Sequence, residues 1–82
     1  MTKDQFKALT LIEQAQYALE HGEEILERIY IYYAIKLYSV NDFFVELWYH
    51  QTGNNIGKIK VVEEEDIIHY YGDKIDISGA SN

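Results

Sequence analysis

An α+β fold, ordered α-β-β-β-α, is what this sequence predicts, and three observations carry it. Two capping-box starts precede a helical run of apolar residues near the N-terminus. A dense β-branched and aromatic run, Ile29-Tyr30-Ile31-Tyr32-Tyr33-Ala34-Ile35-Lys36-Leu37-Tyr38, is followed by two turn signals and two further alternating runs. An acidic quartet, Glu63-Glu64-Glu65-Asp66, then opens a short apolar segment that Gly72 stops.

Thr2-Lys3-Asp4-Gln5 and Thr10-Leu11-Ile12-Glu13 both fit the pattern in which side chains and backbone donors at a helix start satisfy each other. The main helix is expected from Thr10 to His21, after a looser turn or short helix. Ala8, Leu11, Ile12, Ala15, Ala18 and Leu19 share one face at helical spacing. Leu19 is therefore expected in the core. Gly22 sits where a left-handed C-terminal cap is usual, and His21 complements the helix dipole.

The segment from Glu23 to Tyr38 has two readings. Ile25, Ile29, Tyr32, Tyr33 and Leu37 line one side of a helix, whereas the β-branched and aromatic density favours a strand. The strand is preferred because Asn41-Asp42 and a new alternating run follow. A three-residue loop, Val40-Asn41-Asp42, then pairs Leu37 with Val45, Ile35 with Leu47 and Tyr33 with Tyr49. Its other face pairs Lys36 with Glu46, Ala34 with Trp48 and Tyr32 with His50. Apolar meets apolar and opposite charges meet. A second loop, Gly53-Asn54-Asn55, sets Ile59 against Tyr49 and Val61 against Leu47. The result is a three-stranded antiparallel meander with the N-terminal helix on one face. A short C-terminal helix carries Ile67, Ile68, Tyr70 and Tyr71. Ile75 and Ile77 are expected to dock as an extended tail, and residues 78–82 to fray.

At 82 residues the chain reads as one small domain, residues 1–82, close to the size at which one core barely suffices. It has no cysteine, so disulfides and thiolate metal sites are ruled out. The N-terminus does not read as a signal peptide and no apolar run reaches a membrane span, so a cytoplasmic setting without a membrane role is expected. Fourteen acidic against seven basic side chains give a net charge of −7, which repels nucleic acid.

Chemistry-bearing patterns are sparse. There is no nucleophile elbow. His21, His50 and His69 are isolated from one another, and the acidic quartet lacks the spacing of a calcium loop, so no metal or other cofactor is expected. The sharper feature is an outer sheet face carrying Tyr30, Tyr32, Tyr38, Phe44, Glu46, Trp48, His50 and Lys58 as interaction residues, with Lys36 and Lys60 beside them. Self-association through this face, in a non-enzymatic interaction module, is the leading expectation. A domain binding a small ligand or peptide is the alternative, as is an acidic inhibitor-like or antitoxin-like partner of a basic protein. An enzyme with an acid–base pair on this face ranks last.

Overall fold

A computed structural model describes residues 1–74 of the chain. The expected docking of Ile75 and Ile77 and the fraying of residues 78–82 lie outside these described residues. The described elements are α1 (Lys3–Lys7), α2 (Leu11–His21), β1 (Gly22–Tyr30), β2 (Tyr33–Val40), β3 (Phe43–His50), β4 (Ile56–Val62) and α3 (Glu64–Tyr71). The α+β class is as expected, but the sheet has four strands rather than three. They are antiparallel and in the order β1-β2-β3-β4.

Both capping boxes form. The Thr2 hydroxyl accepts from Gln5 N at 3.1 Å, and Gln5 Oε1 accepts from Thr2 N at 2.8 Å. Thr10 and Glu13 repeat the arrangement at 3.2 and 2.9 Å. Such caps contribute about 1 kcal/mol each, which matters for helices this short. Phe6 of α1 is fully buried and packs beside Phe43 at 5.4 Å between ring centres. It takes the core place expected of α2's apolar residues. Only Ala18 of α2 is fully buried, while Leu11, Ile12 and Leu19 are exposed.

Gly22 is extended, at φ −98° and ψ 173°, not left-handed. A Cβ there would meet the Ala18 carbonyl oxygen at 2.6 Å and Val40 Cγ2 at 2.9 Å. Glycine is needed for the close approach of α2's end to β2, not for its torsional freedom.

The fourth strand arises because the aromatic run is broken. Ile31 and Tyr32 form a two-residue turn between β1 and β2, with Tyr30 paired to Tyr33 and Ile31 at φ 54°. Neither residue is a usual turn former, so nothing in the composition marks the break. The next turn also differs from expectation. Val40 pairs with Phe43 across Asn41-Asp42, so Leu37 lies opposite Glu46, Ile35 opposite Trp48 and Tyr33 opposite His50. Asn41 takes φ 52°, and its side-chain oxygen accepts from the Tyr17 hydroxyl of α2 at 2.8 Å.

This one-residue slip moves every β2 side chain to the opposite face from that expected. Tyr38 and Val40 join Phe6, Ala18, Phe43, Val45 and Leu47 beneath α1 and α2. Leu37 joins Val62, Ile67 and Tyr71 beneath α3 on the other face. The physical reason is that helices cover both faces of the sheet. Apolar side chains are then welcome on either side of β2, and apolar pairing no longer selects one register.

The second hairpin is shifted by two residues, which keeps the faces. Leu47 pairs with Ile59 and Val45 with Val61, and the pairing slips between Trp48 and Tyr49. The extra residue at that bulge is Gly57, and the loop runs from Gln51 to Asn55. Asn54 takes φ 55° there.

Candidate functional site

Glu46 is the centre of the α3-covered face. It is 1% exposed, and an unpaired carboxylate there costs several kcal/mol. Four donors meet it. Arg28 Nε donates to Oε2 at 3.2 Å and Arg28 Nη2 to Oε1 at 3.4 Å. Trp48 Nε1 donates to Oε1 at 3.1 Å, and the Tyr71 hydroxyl to Oε2 at 2.8 Å. Three strands and one helix converge on this carboxylate through Arg28 of β1, Glu46 and Trp48 of β3, beside Leu37 of β2, and Tyr71 of α3. Burial, then the hydrogen bond to Glu46 and its charge, push the Tyr71 hydroxyl well above the ordinary tyrosine range, against the opposing effect of Arg28.

Arg28 is held in an aromatic frame. Its guanidinium carbon lies 4.2 Å from the Tyr70 ring centre and 5.5 Å from those of Trp48 and Tyr71. Arginine suits this place because its planar cation stacks and donates in its plane at once. Lys58 Nζ lies 4.1 Å over the Trp48 ring. Tyr30 and Tyr33 meet that ring edge-on at 6.1 and 5.1 Å. Together Arg28, Tyr30, Tyr33, Trp48, Lys58, Lys60 and Tyr70 line an open cleft of about 520 Å³.

A second surface lies at one end of the sheet. The β1–β2 turn and the β3–β4 loop are neighbours there, joined by Gln51 N donating to the Tyr32 carbonyl at 3.0 Å. Ile29, Tyr30, Ile31 and Tyr32 are 63%, 50%, 63% and 76% exposed. Residues 29–35 and 47–57, which build this end, include no Asp, Glu, Lys or Arg. The acidic side chains Glu23, Glu24, Asp42, Glu63, Glu64 and Glu65 gather toward the opposite end, where Gly22, Val40, Phe43 and Val62 lie. There a wider opening of about 700 Å³ has a floor of Phe43, Phe44, Val62 and Ile68 and a bridge from Lys3 to Glu63 at 2.9 Å.

The residues expected to share one face are divided by the structure. Phe44, Glu46, Trp48, His50 and Lys58 do lie on one face, with Tyr30 beside them. Phe44 is half-buried against the α3 cluster, Glu46 and Trp48 are buried, and His50 stacks on Tyr33 at 4.9 Å. Tyr38 is buried in the opposite layer, and Tyr32 stands in the turn rather than on the sheet. Lys36 faces Tyr49 at 5.7 Å on the helix-pair side, and its ion partner is Glu24 at 3.8 Å, not Glu46. Arg28 and Tyr33 were not expected at the site. Arg28 was the available signal: it is the sole arginine in an acidic chain, and it precedes an aromatic run.

Among the described residues no three His, Asp or Glu side chains are grouped to hold a metal, and no helix is long and apolar enough to cross a membrane. No protein family, curated protein or solved structure matches this chain.

Proposed function

We propose that this protein is a small non-enzymatic interaction module of the cytoplasm that self-associates through the end formed by Ile29, Tyr30, Ile31 and Tyr32. The observation that carries this is the coincidence of exposed apolar side chains with an end free of formal charge. The sheet face first expected to serve is largely occupied by α3, so the contact is assigned to the projecting hairpin instead. Four such side chains offer on the order of 500 Å² of apolar surface, near the largest patch a monomer usually shows.

A second copy is the occupant that fits best. Two-fold contact of end with end brings uncharged surfaces together and keeps the acidic ends of both copies apart. The exposed Ile12 and Leu19 of α2 are less suited, being interleaved with Glu13 and Glu20.

Ile31 supplies a further argument. Among the described residues three non-glycine residues have positive φ, namely Ile31, Asn41 and Asn54. Asparagine tolerates this conformation, but a β-branched side chain is a true outlier there. A costly residue at an exposed position is accounted for if its side chain makes a contact.

The test is sedimentation equilibrium at micromolar concentration on the native chain and on Tyr32→Glu. A dimer that becomes a monomer in the variant, with unchanged circular dichroism, is expected. A monomeric native chain overturns the proposal.

A further inference from the structure

We propose that the cleft on the α3-covered face of the sheet, lined from all four strands and by Tyr70 of α3, is a binding site for an aromatic monocarboxylate, whose carboxylate meets Arg28, Lys58 and Lys60 and whose ring lies against Tyr30, Tyr33 and Tyr70. Three of the seven basic side chains of an acidic protein line this one cleft. Among the described residues the only carboxylate in their midst is Glu46, and its oxygens are turned to Arg28, Trp48 and Tyr71. Lys60 is the cross-strand neighbour of Glu46, yet among the described residues neither Lys60 nor Lys58 has a carboxylate within ion-pair distance. The cleft therefore holds an excess of positive charge.

The arginine is prepared for a ligand. Arg28 spends Nε and one Nη2 donor on Glu46, and among the described residues no acceptor engages Nη1. No side-chain nitrogen or oxygen is both buried and unsatisfied among the described residues, so Nη1 reaches solvent. Arg28 is itself part of the cleft lining. The Glu46 bonds and the Tyr70 stacking fix the guanidinium in place, so its donors are oriented before a ligand arrives. Lysines on flexible stems then close around the same anion.

Ligand class follows from size and charge. A cleft of about 520 Å³ is within the usual range for small molecules. The half-exposed tyrosine rings favour a planar apolar group. The protein's net charge of −7 disfavours nucleotides and other polyanions, leaving a singly charged acid. The same chemistry is offered by a free aromatic acid and by the C-terminal residue of a peptide ending in phenylalanine.

Trp48 is the sole tryptophan and sits under Lys58, so its fluorescence reads the site. Titration of the full chain with 3-phenylpropionate, and with a tripeptide ending in phenylalanine, should give saturable changes for at least one. The neutral amide of each probe should bind about tenfold more weakly or worse. Lys58→Gln with Lys60→Gln should weaken binding by a similar factor in calorimetry, while Lys36→Gln on the opposite face should not. Tighter binding of the peptide would assign the site to a protein C-terminus, and equal or tighter binding of the free acid to a metabolite. Absence of saturation with both probes overturns the inference, as does equal affinity for acid and amide. The Tyr32→Glu monomer should retain binding, which separates this result from that of self-association.

Discussion

The Tyr71 hydroxyl donates to Glu46 Oε2 at 2.8 Å, tying the last turn of α3 to the middle of β3. Because Arg28 reaches the same carboxylate from β1, β1 and α3 are held through one buried anion.

Removing that anion should be costly. Glu46→Leu leaves Arg28, 13% exposed, as an uncompensated cation, and a loss of about 3–5 kcal/mol is expected. Adding Arg28→Met should recover part of it, so that the double variant is more stable than Glu46→Leu alone. Urea denaturation of the three variants measures this. A double variant that loses the sum of the single losses would mean the two residues do not interact.

Alkaline pH should weaken the fold before tyrosine ionises within it. Burial, helped by Tyr49 and Glu24, also raises the Tyr38 hydroxyl. In the unfolded chain both ionise near the ordinary value of 10.0, while in the folded protein they keep their protons. Above pH 10 the unfolded state therefore binds fewer protons, and stability falls as pH rises toward the folded values. Below pH 10 neither group alters stability with pH. Tyr71→Phe should flatten the alkaline slope of the unfolding free energy without removing the part due to Tyr38.

Ile35 and Leu47 are both fully buried but face opposite helical layers. Alanine at either should cost about 2–5 kcal/mol. Leu19→Ala should cost less than ~1 kcal/mol, because that side chain is exposed on α2. Equal losses at Leu19 and Leu47 in chemical denaturation would contradict this arrangement.

The turn at Ile31 offers a change that opposes stability and association. Ile31→Asn removes a β-branched residue from positive φ and should stabilise the monomer by about 1 kcal/mol. The same change should weaken self-association by deleting an exposed apolar side chain. Calorimetric melting at dilutions where the native chain is dissociated, set beside sedimentation at higher concentration, separates the two effects.

What the sequence made legible follows from where physical rules are local. Thr2 with Gln5 and Thr10 with Glu13 mark helix starts through contacts within four residues, and both were readable. The faces of β3 and β4 were readable because Val45, Leu47, Ile59 and Val61 alternate with charged neighbours. The turn at Ile31–Tyr32 was not, since no glycine, asparagine or proline announces it. Glu46 opposite Leu37 looked like a mismatch in the sequence. It becomes favourable only with Arg28 and Tyr71, which lie 18 and 25 residues away. Pairings that depend on such distant partners have no local signature.

The nearest-neighbour strand order has a kinetic consequence. Every strand pairs with the one beside it in the chain, so each hairpin closes a short loop and the sheet can zip in sequence at low contact order. The α3 layer is different: Glu46 waits for a hydroxyl 25 residues downstream, and Leu37 and Val62 wait for Tyr71 and Ile67. During synthesis the N-terminal part emerges first, so the β1–β3 pairings and the α1–α2 layer can form while α3 is still in the ribosome. Docking of α3 is then the closing step, and until it happens one face of an otherwise paired sheet stays open to chaperones.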